Sequence, residues 1–231
     1  MEELHSWSIG DLILYKNNQL IALNKPNGIP VQEDLTEDKA LVNLASIYAK
    51  SNIFVTHRID RPASGIVLFA KNKKALAALN KQIQERKLQK TYLAVVKNAP
   101  ENSSGELIHH LKKNGKTNKS IALDEPQKNT KKAILTYETL GQIDNYTLLK
   151  IDLHTGRHHQ IRAQLAAIDC PIKGDVKYGF RRGNRDKSIE LHAWKLGFTH
   201  PVSHEMVHLV APPPKTTIWE AFAAAGVDFS S

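Results

Sequence analysis

One carboxylate stands between two guanidinium groups at residues 57–65, which read His-Arg-Ile-Asp-Arg-Pro-Ala-Ser-Gly. Arg58 and Arg61 flank Asp60, and the turn-forming Pro and Gly are followed by an apolar run at residues 66–71, which predicts a strand. Two neighbouring cations favour the charged form of a carboxylate. Asp60 is therefore a poorer candidate for a general acid than for a nucleophile, a base or a structural counter-ion of the arginines.

A second polar cluster lies at residues 154–162, which read His-Thr-Gly-Arg-His-His-Gln-Ile-Arg. The apolar spacing that follows predicts a helix over residues 158–168 with one buried face. A helix N-terminus carries partial positive charge, so this cluster is suited to binding a phosphate or a carboxylate. Arg162 lies about one turn from His158 and His159 and points to one side of that corner. The alternative is a capped helix whose polar start faces solvent.

Other site chemistries are poorly supported by the sequence. The three histidines lack metal-ligand spacing and have arginine neighbours, whose charge opposes a cation, so we expect no metal site. Ser64 lacks the Gly-x-Ser-x-Gly elbow of a serine hydrolase, and no P-loop precedes a helix. Glycoside hydrolysis needs two carboxylates, and the sequence near Asp60 offers no second one. A distant Asp or Glu could still supply it.

Strand patterns outnumber helix patterns and are often adjacent along the chain. A hairpin is predicted over residues 11–23, helices over 38–50 and 72–86, and a short helix at 218–222. Further strands are predicted at residues 91–96, 134–140, 146–153, 191–198 and 206–210. The pattern favours an α+β fold with a mixed, largely antiparallel sheet flanked by helices.

Composition indicates a polyanionic partner. The 231 residues include 32 Lys and Arg against 23 Asp and Glu, a net charge of +9 that favours nucleic acid. Cys170 is a single cysteine, and no apolar run approaches membrane-spanning length, so we expect a cytoplasmic protein without membrane contact. The length fits one domain over residues 1–231, and the polar, lysine-rich stretch at about 97–132 is interpreted as a mobile basic lobe or pair of hairpins.

Residues 57–71 resemble the His-Arg-Leu-Asp-x-x-Thr-Ser-Gly-Leu-Leu-Leu-x-Ala-Lys signature of the RluA-type RNA pseudouridine synthases. Further segments resemble that family's motifs in the same order: residues 24–28, 90–92, 155–162, 171–175 with 178–179, and 191–193 with 198–201. The departures are Ile59 for leucine, Ala63 for threonine and His158 for threonine, of which Ala63 removes a hydroxyl beside the turn. The ordered motifs span nearly the whole chain, which makes the resemblance specific.

The resemblance implies an isomerase that converts uridine within RNA to pseudouridine without a cofactor or metal. It makes Asp60 the catalytic aspartate, attacking the ribose, attacking the uracil ring or abstracting a proton to allow a glycal. Tyr92 would stack on the uracil and take the proton from the ring carbon. Arg162 would pair with Asp60, and a bidentate guanidinium would fix the orientation of that carboxylate.

The resemblance also implies a flipped-out target base in structured RNA. Arg58 would fill the space that the base leaves, and the basic lobe would extend the RNA contact. Four other motif residues are expected to contact phosphate or to brace the site: Lys25, Arg157, His159 and Gln160. Many relatives carry a small N-terminal RNA-binding domain, whereas only about twenty residues precede Asn24, so we expect recognition by the catalytic domain.

The expected partner is a tRNA stem-loop or a ribosomal RNA hairpin, and the expected state is a monomer. Two alternatives belong to other classes. One is a non-catalytic RNA-binding or ribosome-assembly protein of the same fold, which would lack the catalytic acid. The other is a carbohydrate-active hydrolase that uses Asp60 together with a second essential carboxylate.

Overall fold

A computed structural model describes residues 7–33 and 39–230. Within these residues, four α-helices are α1 (Leu41–Ala49), α2 (Lys73–Gln84), α3 (Gln160–Ala167) and α4 (Thr217–Ala224), and two short 3₁₀ helices cover Ile9–Leu12 and Val176–Tyr178. The strands are β1 (Ile13–Lys16), β2 (Leu20–Lys25), β3 (Phe54–Val55), β4 (Ser64–Ala70), β5 (Gln89–Val96), β6 (Ser104–Asn114), β7 (Lys119–Leu123), β8 (Lys131–Ile143), β9 (Tyr146–Leu153), β10 (Leu191–Thr199) and β11 (Met206–Val210).

All of these strands belong to one sheet, in the order β1-β2-β4-β10-β5-β9-β8-β6-β7, with β3 paired to β4 and β11 paired to β10. The pairing of β4 with β10 is parallel, and the other strand pairs in the described residues are antiparallel. The predicted fold class, a mixed and largely antiparallel sheet flanked by helices, is confirmed. No helix in the described ranges is both long and apolar enough to cross a membrane.

The central strands bury both faces. On β4, Val67 and Phe69 pack in the cluster that includes residues of α1 and α3, whereas Ile66 and Leu68 pack with α2 on the opposite face. Strand side chains alternate between faces, so apolar residues at consecutive positions put a core on each side of the sheet. The helix α4 completes the second face through Trp219.

The position of β10 between β4 and β5 sets the register of the site. Ala193 is the register partner of Gly65 on one side and of Tyr92 on the other. Gly65 has φ +112°, and a Cβ there would lie 2.3 Å from the Ala193 carbonyl oxygen, so a side chain is excluded. This close approach brings the turn before β4, which carries Asp60, to the level of Tyr92.

Most predicted element positions are confirmed, with differences at their ends. Asn72 caps α2, since its Oδ1 accepts a hydrogen bond from the Ala75 N–H at 2.9 Å. Helix α3 begins at Gln160 rather than His158, because His159 adopts a left-handed conformation with φ 51°. The predicted start of α1 at residue 38 lies outside the described residues.

The lysine-rich stretch at 97–132 contains the β6–β7 hairpin. Strand β6 pairs with β8 from Ser104 to Leu111 and with β7 from His110 to Asn114. The hairpin is therefore a continuation of the sheet.

Candidate active site

A cleft of about 810 Å³ opens at the N-terminal end of β4. It brings together seven of the eight site residues that were predicted from sequence: Arg58, Asp60, Tyr92, Arg157, His159, Gln160 and Arg162. The side chain of Asp60 is 26% exposed, so its carboxylate is accessible from the cleft. Three segments distant in sequence therefore meet around one acid.

Asp60 opens a tight turn that is fastened to a neighbouring loop. The Ala63 N–H donates to the Asp60 carbonyl at 3.1 Å, which closes the turn. Arg61 and Gly28 exchange two hydrogen bonds, from Gly28 N–H to the Arg61 carbonyl at 2.9 Å and from Arg61 Nε to the Gly28 carbonyl at 2.8 Å. Nε of Arg61 is therefore directed to this loop. Arg58 is exposed on the cleft wall.

Lys25, the eighth predicted site residue, lies beneath this turn rather than in the cleft. Its buried ammonium donates to the carbonyls of Pro26, Ile29 and Arg61 at 2.9, 2.9 and 3.1 Å. Burial lowers the pKa of Lys25 to about 7, and the charge of Asp60 opposes this shift. Of the two roles expected for Lys25, contact with phosphate is excluded by burial, and bracing of the turn fits its three hydrogen bonds.

Arg162 connects Asp60 to a second, buried carboxylate. Its Nη1 donates to Asp60 Oδ2 at 2.9 Å, while Nε and Nη2 donate to the two oxygens of Asp175 at 2.7 and 2.8 Å. The bidentate pair predicted for Asp60 is thus made to Asp175, and Asp60 receives a single bond. Burial opposes the charge of Arg162, but its contacts with Asp175 and Asp60 outweigh that effect and raise its pKa.

Tyr178 packs against the same guanidinium group. The ring centroid of Tyr178 is 4.9 Å from Cζ of Arg162, and its hydroxyl accepts a hydrogen bond from the Ser120 N–H at 2.7 Å. That hydroxyl also lies 2.9 Å from Nδ1 of His159. Since its lone pair takes the Ser120 N–H, its proton is available for Nδ1. This arrangement favours the tautomer of neutral His159 that has its proton on Nε2, which is 3.8 Å from Asp60 Oδ2.

His159 is held neutral in this position. Burial lowers its pKa to about 4, the charge of Asp60 opposes the shift and that of Arg162 adds to it. The ring stacks on His158 with centroids 3.8 Å apart. The left-handed backbone at His159 turns the chain into α3 and aims the imidazole back towards Asp60.

Tyr92 forms part of the cleft beside Asp60 and is 8% exposed. Burial, with the charge of Asp60, raises the pKa of its phenol. Tyr92 is therefore protonated at neutral pH, and its ring presents an aromatic surface next to a carboxylate.

Gln160 and Arg157 support the loop that precedes α3. Oε1 of buried Gln160 accepts hydrogen bonds from Thr155 Oγ1 at 2.8 Å and from Arg157 N–H at 3.0 Å. Its Nε2 donates to the Ile134 carbonyl at 3.1 Å, which ties the loop to β8. Arg157 Nε donates to the Lys132 carbonyl at 3.0 Å. Bracing accounts for every contact of Gln160.

The chain matches the model of a family described as RNA pseudouridylate synthase over residues 19–167. It is 31% identical to tRNA pseudouridine synthase C of Haemophilus ducreyi, and the match covers 86% of this chain and 89% of that protein. It is 30% identical to ribosomal large subunit pseudouridine synthase C of Buchnera aphidicola, covering 87% of this chain and 67% of that protein.

The chain belongs to the RNA pseudouridylate synthase family. It is therefore an isomerase that acts on RNA. The solved structure of human RNA pseudouridylate synthase domain containing 4 superposes with a TM-score of 0.75 at 24% identity, covering 93% of each chain. That likeness confirms the fold.

Two residues of this synthase's site were not predicted from sequence. Asp175 and Tyr178 belong to a segment that resembles a family motif, yet the sequence offers no sign that they contact Arg162. The nearest signal is their order, Gly-Asp followed three residues later by Tyr-Gly, which fits a turn beside a short helical segment. Their role depends on a tertiary contact with α3.

Ser64 also has a contact that the sequence did not indicate. Its hydroxyl lies 2.8 Å from Nδ1 of His192, whose Nε2 is 3.0 Å from the Ala211 carbonyl. Both side chains are buried between β4 and β10. The pair joins the two parallel strands, and its burial agrees with the prediction that Ser64 is no hydrolytic nucleophile.

Proposed function

We propose that this synthase converts specific uridines in structured RNA to pseudouridine, with Asp60 as the catalytic carboxylate. The supporting observation is the asymmetry of that carboxylate. Oδ2 accepts the Arg162 hydrogen bond and faces His159, whereas no hydrogen bond to Oδ1 occurs within residues 7–33 and 39–230. Oδ1 is thus the oxygen available to react with a nucleotide in the cleft.

The reaction breaks the bond between ribose C1′ and uracil N1 and rejoins C1′ to the ring carbon C5. Asp60 Oδ1 serves as the nucleophile at C1′, as the nucleophile at the uracil ring, or as the base at C2′. Each route needs an ionised carboxylate held in one orientation. Arg162 supplies both conditions, since its charge favours the carboxylate and its two bonds to Asp175 fix the guanidinium plane.

Tyr92 is proposed to stack on the target uracil and to accept the C5 proton after rejoining. Because its raised pKa keeps the phenol protonated, accepting that proton requires that its own proton leaves at the same time. We infer that Asp60, a free carboxylate again once C1′ has rejoined C5, receives this proton, since its charge acts on Tyr92. The uracil N1, which lost its bond to C1′, then takes up a proton, so the proton that leaves C5 is balanced by the new N1–H. Asp60 and Tyr92 would then act as one unit in proton transfer.

The target base must leave its stack to reach this cleft, which costs least in a loop or bulge. Arg58, exposed on the cleft wall, is proposed to occupy the vacated space. The exposed lysines of the β6–β7 hairpin extend a positive surface from the cleft and would bind the phosphate backbone. A tRNA stem-loop and a ribosomal RNA hairpin are the proposed substrates, and each of the two relatives described above is named for one of these RNA classes.

The test compares the wild type with Asp60→Asn on defined tRNA and ribosomal RNA transcripts and measures pseudouridine formation. Asp144→Asn is the matched control, because Asp144 is exposed in the β8–β9 turn. We expect product with the wild type and the control and none with Asp60→Asn. Product formed by Asp60→Asn would contradict the assigned role. A wild type that binds RNA but modifies no cellular RNA would support the non-catalytic RNA-binding or ribosome-assembly function.

A further inference from the structure

Lys90 is a cation in the cleft without an internal counter-ion. It lies on β5 two residues before Tyr92, so both side chains point to the cleft face of the sheet. The residue is half-buried. Throughout residues 7–33 and 39–230, no carboxylate or carbonyl accepts a hydrogen bond or ion pair from its ammonium group. Burial lowers the pKa of Lys90, as expected for a charge removed from water without compensation.

His57 adds a second unpaired donor to the same wall. Its Nε2 accepts the Leu68 N–H at 3.1 Å, which leaves the proton of the neutral ring on Nδ1. Nδ1 is buried and has no hydrogen-bond partner in the described part of the chain. Both residues line the cleft, and burial together with the charge of Lys90 lowers the pKa of His57 to about 3.

Three other basic groups at the site already have partners within the protein. Arg162 binds two carboxylates, Arg157 binds a carbonyl and Lys25 binds three. Buried donors without acceptors are unfavourable unless a bound group supplies the acceptor. This wall of the cleft therefore has hydrogen-bond donors and positive charge that await an anion.

We propose that Lys90, with His57 beside it, forms a phosphate subsite for the nucleotide whose base stacks on Tyr92. The inference rests on the proposed function, since it takes the ligand to be RNA. Alternate residues on a strand are separated by about 6.6 Å. That spacing is comparable with the distance from a base to the phosphate of the same nucleotide. Tyr92 and Lys90 would thus hold the two ends of one nucleotide, with the ribose between them near Asp60.

The binding test uses uridine, uridine 5′-monophosphate and uridine 3′-monophosphate in NMR titrations of the wild type and Lys90→Gln. We expect one monophosphate to bind the wild type about tenfold more tightly than uridine, which is the effect of one charge-assisted hydrogen bond. Lys90→Gln should lose that advantage while binding uridine normally. The subsite is refuted if the wild type binds neither monophosphate more tightly than uridine, or if Lys90→Gln still binds the monophosphate more tightly. It is also refuted if Lys90→Gln weakens the binding of uridine as much as that of the monophosphate.

Two further variants separate this result from misfolding and from general loss of charge. Lys87→Gln removes an exposed lysine that pairs with Glu85 at 2.7 Å and does not line the cleft, so it should keep the phosphate advantage. Lys90→Arg, which keeps the positive charge, should keep most of the tighter binding of the monophosphate. Because Lys90 has no internal partner, Lys90→Gln should unfold at the same temperature as the wild type or higher. A lower midpoint would identify a structural role and overturn the proposal.

Turnover distinguishes failure of this inference from failure of the proposed function, since the titrations require no catalysis. On an RNA that the wild type modifies, Lys90→Gln should raise KM with little change in kcat. It should also reduce the slope of log affinity against log salt by about one. An active wild type with an unaffected Lys90→Gln variant would refute the subsite alone. A wild type with the phosphate advantage but no pseudouridine product would refute the proposed reaction.

Discussion

The hydroxyl of Tyr178 lies 2.9 Å from Nδ1 of His159 and accepts the backbone N–H of Ser120 at 2.7 Å. These contacts connect β7 with the imidazole that faces Asp60, while the Tyr178 ring packs on Arg162. One side chain therefore favours a single tautomer of His159 and supports the guanidinium group of Arg162, which binds Asp60.

Tyr178→Phe should keep the ring against Arg162 but release His159. We expect kcat to fall about tenfold while RNA affinity changes little, because the lost contact positions the acid and leaves the basic surface intact. The ¹⁵N chemical shifts of His159 should change from those of a single Nε2–H tautomer to an average of two. His159→Gln supplies a donor near the Nε2 position, and an amide has no tautomer to control. Adding Tyr178→Phe to His159→Gln should therefore lower kcat much less than Tyr178→Phe does in the wild type. Equal losses in both backgrounds would exclude tautomer control.

Asp175→Ala removes the bidentate partner of a buried arginine. Breaking a buried ion pair typically costs about 3 kcal/mol or more, whereas an exposed pair contributes about 0–1 kcal/mol. Urea unfolding should therefore show a large loss of stability for Asp175→Ala and almost none for Glu85→Gln, which removes an exposed partner of Lys87. Similar small losses in both variants would mean that Asp60 alone suffices to hold Arg162.

Gly65→Ala tests the close approach of β4 to β10. The added methyl would overlap the Ala193 backbone at 2.3 Å, and the strands must separate to admit it. We expect loss of activity and a free energy of unfolding lowered by about 3 kcal/mol or more. Gly28→Ala is the control, because Gly28 also has positive φ but nothing lies within 4 Å of its added Cβ. Its cost should be near 1 kcal/mol.

Removing positive charge from the β6–β7 hairpin should weaken RNA binding without changing the reaction step. Lys112, Lys113 and Lys116 are exposed there. Replacing all three with glutamine should reduce the slope of log affinity against log salt by up to about three, with kcat on bound RNA unchanged. Filter binding across a salt series measures this slope, and an unaltered slope would place the RNA elsewhere on the surface.

The sequence predicted elements better than contacts. Periodicity placed α2 and its Asn72 cap, because both depend on neighbouring residues. The burial of Lys25 was not visible, since a lysine before a proline gives no sign of three carbonyls converging from two loops. The orientation of the Arg162 guanidinium group was not predictable either, because it depends on Asp175, which contacts Arg162 only through tertiary packing. The resemblance singled out Asp60 and its pairing with Arg162, whereas the residues that hold this arginine in place were not predicted to contact it.

The buried ammonium of Lys25 should make stability depend on pH above neutrality. Its pKa falls from 10.5 to about 7 on folding, because burial disfavours the charge and Arg61 adds to this while Asp60 opposes it. Between those values the unfolded chain binds the extra proton, so the free energy of unfolding should rise with pH and the penalty should be greatest below pH 7. Lys25→Met lacks this group and is the reference. Urea unfolding gives the free energy of unfolding of each protein. The value for the wild type minus that for Lys25→Met should rise by about 1 kcal/mol per pH unit from pH 7 to 10. A flat or falling difference would show that Lys25 stays charged in the folded protein, satisfied by its three carbonyl partners and the nearby Asp60.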